Sequence, residues 1–154
     1  MEERTGMISF IVNIICLILL IGNVIYLISV WGSLPDQIPA HFDFAGNVTR
    51  YDSKRTLLLM PVFNWIIFIS LAIIERFPNM WNTGVKITEK NKERVYGICR
   101  NMIITLKLIT VVIFLFISVH QTTGTNLPGW YLPVLLSVIF GPLIFFIIKL
   151  FRER

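Results

Sequence analysis

Charge is scarce in this chain. Of its 154 residues only 15% are Asp, Glu, Lys or Arg, against about 25% in an ordinary globular domain. Cysteine is scarcer still. Cys16 and Cys99 are the two present, which excludes a disulfide framework and a CxxC-type metal site. Each sits in or at the edge of an apolar run, where a thiol behaves as a small packing residue. Catalytic patterns are missing too. The sequence contains no HExxH, no glycine-rich phosphate loop, no Ser or Cys with a matching His and acid in one layer, and no paired carboxylates within an apolar run. No enzyme, no cofactor and no nucleic-acid reader is expected. There is no internal repeat and no low-complexity tract.

Apolar residues fill the space that charge leaves. The chain is 55% hydrophobic, with twelve Phe and four Trp, and its mean hydropathy is +0.73. A small globule has too little interior for that load. The net charge of +5 is gathered at the ends of apolar runs, which is how membrane proteins use Lys and Arg. The fold class expected is therefore an all-α integral membrane protein with four transmembrane helices and the lipid bilayer as its main partner.

The spans fall at about 8–30, 56–74, 98–119 and 130–148, each close to the ~20 residues that cross a hydrocarbon core. The first is too long for a signal-peptide core, is preceded by Glu2 and Glu3 as well as Arg4, and lacks a convincing cleavage site. It reads as a retained helix. Ser9, Asn13, Cys16, Leu20 and Asn23 share one face of it at helical spacing, and polar groups in lipid turn toward other helices. Pro61 lies in the first turns of the second span, where a missing donor does least harm. Glu75 and Arg76 are read as its stop. Thr88 and Glu89–Tyr96 read as an N-capped entry into the third span. Gly141 and Pro142 predict a bend in the fourth.

Ten of the fourteen Lys and Arg lie at one end of these spans: Arg4, the six between Arg76 and Arg100, and Lys149, Arg152 and Arg154. Three lie at the other, Arg50, Lys54 and Arg55, and Lys107 is inside a span. Such an imbalance across short loops places both termini in the cytoplasm and the 31–55 loop outside the cell. The expected location is a bacterial plasma membrane.

That first outer loop is structured. Pro35 and Pro39 hold it extended, and Ala45-Gly46-Asn47 is a turn signal. Between them stand His41, Phe42, Asp43 and Phe44. Asp36 and Asp43 precede every base of the loop, so the candidate ligand-binding residues are His41, Phe42, Asp43, Asp36 and Gly46. An acidic, aromatic surface suits a cationic, apolar partner such as a secreted membrane-active peptide. The plainer alternative has Phe42 and Phe44 covering helix ends and the two acids capping turns. His41 and His120 both fall on the outer side, but no ligand pair stands at helical spacing and no metal site is assigned.

Lys107 is the sharpest signal within the membrane. A lysine at mid-span costs ~2.5–3.5 kcal/mol on insertion scales and needs a partner or a wet cavity. No acid falls in any other predicted span, so the expected acceptors are Asn13, Asn23, Asn64 or a carbonyl. A snorkelling stem is the alternative.

Leu34-Pro35-Asp36-Gln37-Ile38-Pro39-Ala40-His41-Phe42-Asp43, with Gly46 and Ser53-Lys54, resembles the LPxxIPxHFxxxG…SK pattern of the SdpI-like family of bacterial membrane proteins. Pro78-Asn79 with Asn82, Gly84, Thr88 and Asn91 is more loosely similar to that family's PN…G…T..N segment. The resemblance implies a domain of unknown function, found as the N-terminal module of an immunity protein against a secreted killing peptide. Members of that type carry further spans, so their tethering of a repressor is not carried over. Immunity by peptide binding is thus the first expectation. The others are a signalling or assembly subunit that recruits a cytoplasmic protein through the 76–100 loop, and a small transporter centred on Lys107.

Overall fold

A computed structural model describes residues 2–153, with side chains from Thr5 onward. Arg154 and the side chain of Arg4, both part of the charge count, lie outside the described residues. Four helices make up most of the chain: α1 (Glu2–Val30), α2 (Leu59–Arg76), α3 (Lys92–Gln121) and α4 (Tyr131–Phe151). With a 3-10 lead-in to α2, the apolar helical segments run 29, 23, 30 and 21 residues. At ~1.5 Å per residue each is long enough to cross a membrane.

Prolines sit where helices tolerate them. Pro61 and Pro133 occupy first turns of α2 and α4, where the amide has no acceptor to lose. In the last span, α4 runs as one helix through Gly141 and Pro142, the two residues at which a bend is expected. The entry to α3 also differs from expectation. Residues 89–90 form a turn and the helix begins at Lys92. Asn91, not Thr88, is the knot of this segment. Its Oδ1 accepts from the Thr88 amide at 2.7 Å, and its Nδ2 donates to the carbonyls of Lys86 and Glu153.

The central element is α3, which packs against α1, α2 and α4. An apolar layer of Cys16, Leu20, Phe68 and Val111 joins the first three helices. By contrast α4 leans on α3 and turns Val134, Phe140, Ile144 and Phe145 outward. Apolar side chains on the outside are the expected state of a helix in lipid.

The two ends of the bundle differ. One carries the loop after α1, which folds into two antiparallel strands, β1 (Gln37–Phe42) and β2 (Val48–Ser53). This hairpin adds a β element to the all-α expectation. Pro39 can stand in β1 because both strands of a two-stranded ribbon are edges. The register slips once at Ala40 and once at Thr49, leaving His41 opposite Arg50 and Phe42 opposite Val48. Leu34, Ile38 and Leu57 bury themselves against Leu27 of α1 and root the hairpin on the bundle. At the opposite end the 77–91 segment is tied down by Trp81, whose Nε1 donates to the Ile74 carbonyl at 2.7 Å. Arg94 pairs with Glu153 there at 2.8 Å.

Candidate functional site

The hairpin tip is built around Asp43. Its Oδ1 accepts from the amides of Ala45 (2.9 Å) and Asn47 (2.8 Å), and its Oδ2 from Asn47 Nδ2 at 3.1 Å. Hydrogen bonds of that kind favour the ionised form. The bond from the Asn47 side chain, helped by nearby amides, holds the Asp43 carboxyl below the usual carboxylate range. Gly46 closes the turn at φ +88°, a backbone state that glycine enters without strain.

From this tip the hairpin reaches the loop between α3 and α4. Gly46 O accepts from the Leu127 amide at 2.8 Å, and Asn126 Oδ1 accepts from the Val48 amide at 2.9 Å. Asn126 O in turn lies 3.0 Å from His120 Nε2, so the donating tautomer of His120 braces the same junction. Phe116 stacks on both His120 and Tyr131. Between the loops lies a cavity of about 500 Å³ whose walls include Phe42, Phe44, Gly46, Leu127, Tyr131 and Leu132, with Asp43 at its edge. Phe44 is 91% exposed. A side chain so apolar and so free of packing is an unusual thing to leave at a loop tip.

Of the five outer candidates, the structure brings Phe42, Asp43 and Gly46 to this cavity. It sets the other two apart. His41 is exposed on β1, and the Asp36 side chain is 99% exposed with Lys54 Nζ at 3.4 Å. Among the described residues no three of His, Cys, Asp and Glu come close enough together to hold a metal. The cavity's second wall, from Leu127 to Leu132, has no charge and no motif, and pattern reading passed over it.

A second polar centre lies inside the bundle. Lys107 Nζ donates to Glu75 Oε2 at 2.6 Å and to Asn13 Oδ1 at 2.5 Å. Ser9 Oγ donates to Glu75 Oε1, and Asn13 Nδ2 reaches Ser9 Oγ at 3.5 Å. The side chains of Lys107 and Glu75 are 0% and 6% exposed. The expectation that no acid would share the membrane with Lys107 is thus overturned, because Glu75 belongs to the last turn of α2 and points into the bundle. Asn13 is an acceptor as expected. Asn23 and Asn64 serve elsewhere: Asn23 Oδ1 accepts from Ser118 at 3.1 Å, and Asn64 Nδ2 donates to the Val111 carbonyl at 3.2 Å. The polar face foreseen on α1 does turn inward, with Cys16, Leu20 and Asn23 all buried.

Four membrane-length apolar helices, capped by a hairpin and crossed by a buried charge pair, define a multi-pass membrane protein. Residues 17–64 match the family model of a domain of unknown function, DUF1648. That stretch covers the second half of α1, the whole hairpin and the first turns of α2. The chain is also similar to an uncharacterised protein of Archaeoglobus fulgidus, at 28% identity over 143 residues, covering 82% of this chain and 78% of that one. No solved structure matches the chain.

Proposed function

We propose that this is a plasma-membrane protein of a bacterium that binds a secreted, cationic, membrane-active peptide at its hairpin end, which faces out of the cell. One observation carries the reading: the cavity of about 500 Å³ between the hairpin tip and the Leu127–Leu132 segment. Its walls are apolar and aromatic, and an ionised Asp43 stands at the rim. An amphipathic cation needs those two things together, a greasy slot for its apolar face and a carboxylate for its charge. The basic excess at the far end of the bundle supports the outward orientation. The loop's resemblance to the SdpI-like family supports a protective role. Binding alone suffices for protection, and the reading assigns no catalysis.

The test uses vesicles that carry the purified chain and a synthetic Lys–Leu amphipathic peptide bearing a fluorophore. Saturable binding and reduced dye leakage are expected for the native chain, with loss of both in Phe44→Asp and Leu132→Asp variants. Equal binding by vesicles with and without the chain overturns the proposal. Orientation is read separately in intact cells with a membrane-impermeant maleimide. Ala45→Cys should label and Lys90→Cys should not, and the reverse pattern removes the peptide's route to the site.

A further inference from the structure

A hollow at the basic end of the bundle gathers opposite charges without pairing them. It measures about 430 Å³ and lies between the start of α1, the 78–81 turn and the first turns of α3. Arg100, Lys92, Glu89 and Glu93 all stand in its walls. Among the described residues none of these four side chains makes an ion pair. Arg100 is half-buried, and its Nε is buried with no hydrogen-bond partner. Burial of an unpaired donor costs free energy, and an anion brought to the guanidinium offsets it. The planar fork of arginine fits the oxygens of a phosphate. Glu89, Lys92 and Glu93 are exposed and form the rim.

Gly97 makes the room. It lies in the wall between Glu93 and Arg100 on α3, and a Cβ there would meet nothing within 4 Å. Glycine inside a helix costs about 1 kcal/mol against alanine, and here no neighbouring protein atom demands it. Its missing side chain widens the hollow instead. From Glu93 to Arg100 the helix rises ~10 Å, and Arg100 leans toward the helix start, so toward the carboxylates. Guanidinium and carboxylates are thus close enough for one small zwitterion to meet both.

The depth of the hollow selects the zwitterion. Trp81 and Tyr96 stand in its wall edge to face, with ring centroids 6.0 Å apart, and such rings mark the headgroup layer of a membrane. Nearby in the chain, Met7 and Phe10 on α1 and Phe77 and Met80 beside the turn are exposed apolar side chains. They offer acyl chains a surface next to the charged site.

We propose that this hollow binds the phosphoethanolamine headgroup of a membrane lipid. The phosphate sits at Arg100 with Lys92 beside it, and the ammonium donates to Glu93 and Glu89. A primary ammonium brings three N–H groups to those carboxylates. A choline headgroup has no N–H to donate, and a glycerol headgroup leaves both carboxylates facing a negatively charged lipid. The site is independent of peptide binding at the hairpin end.

The full chain, purified in detergent, is given equal amounts of phosphatidylethanolamine, phosphatidylcholine and phosphatidylglycerol, and native mass spectrometry reads the lipid retained. Phosphatidylethanolamine should be preferred by about tenfold, the discrimination that one charged hydrogen bond supplies. Gly97→Leu should abolish the preference while keeping the melting temperature, since leucine favours the helix and fills only the hollow. Glu89→Lys combined with Glu93→Lys alters exposed positions alone and should transfer the preference to phosphatidylglycerol, which keeps the test open if the leucine variant does not fold. Equal retention of the three lipids by the native chain overturns the proposal, as does a native preference in either variant. Glycerophosphoethanolamine carries the headgroup without the chains and separates a lipid from a soluble phosphoester. Lipid retained against an equal concentration of it supports the lipid, and lipid displaced by it assigns the hollow to the soluble compound and overturns the lipid.

Discussion

Glu75 and Lys107 meet because their helices run in opposite directions. A helical side chain leans toward the N-terminus of its own helix. On α2, which descends from the hairpin end, Glu75 leans back into the bundle. On α3, which ascends from the basic end, Lys107 leans down toward it, and Nζ and Oε2 close to 2.6 Å. Two groups that would each be costly alone in lipid thus neutralise one another. Ser9 and Asn13, one turn apart on α1, take up the remaining hydrogen bonds.

Breaking this pair should cost more than deleting it. Removal of one partner strands a buried charge, at about 3–5 kcal/mol, whereas apolar replacement of both is often near neutral. Glu75→Leu and Lys107→Leu are therefore each expected to unfold readily in detergent, and the double variant to recover most of the loss. Denaturant titration of the four proteins measures the cycle. Additive single effects would mean that the two side chains do not depend on each other.

The spans were legible in the sequence because twenty apolar residues in a row have few other uses, and the predicted and observed helices overlap throughout. Glu75 was missed for a reason of geometry: beside Arg76 it reads as a polar stop, and only the direction of side-chain lean sends it inward. The hairpin was hidden by Pro35, Pro39 and two register slips, which break the alternation that marks a strand. Asn126 and Leu127 pair with the hairpin tip across about 80 residues of chain, and no local signal records such a contact. The acid-and-turn chemistry of Asp43 and Gly46, by contrast, is local and was readable.

Both native thiols should be silent. Cys16 and Cys99 are 0% and 3% exposed, so neither should react with a maleimide until the chain is denatured. Mass spectrometry before and after denaturation checks this. Labelling of the folded protein would mean that the Cys16 layer opens on the time scale of the reaction.

Acid should loosen the hairpin tip before it disturbs the helices. The folded carboxyl of Asp43 titrates lower than the free one, so its contribution to loop stability is fully present above the ordinary aspartate value. It is lost as the pH falls through that value toward the lower folded one. Amide exchange at Ala45 and Asn47, corrected for intrinsic rates, should therefore show less protection below about pH 4. Asp43→Asn should show the unprotected rate at every pH. Unchanged protection in Asp43→Asn would assign the turn to the backbone alone.

Gly46 is where the two loops of the hairpin end touch, and it should not tolerate a side chain. A methyl group there would stand 2.5 Å from the Leu127 carbonyl oxygen and 3.1 Å from its carbon, inside van der Waals contact with backbone that cannot rotate away. The positive φ adds a cost of about 1–3 kcal/mol for any residue with a Cβ. Gly46→Ala should therefore pull the tip off the 122–130 segment, break the Gly46–Leu127 hydrogen bond and open the cavity between them. Hydrogen exchange separates this local effect from general unfolding. The amides of Leu127 and Val48 should lose protection, while those of Val111 and Phe68 in the bundle keep theirs. If peptide binding at the hairpin end depends on that cavity, it should weaken in Gly46→Ala in step with the protection lost at Leu127. Loss at Leu127 with native peptide affinity would place the binding surface on the hairpin alone.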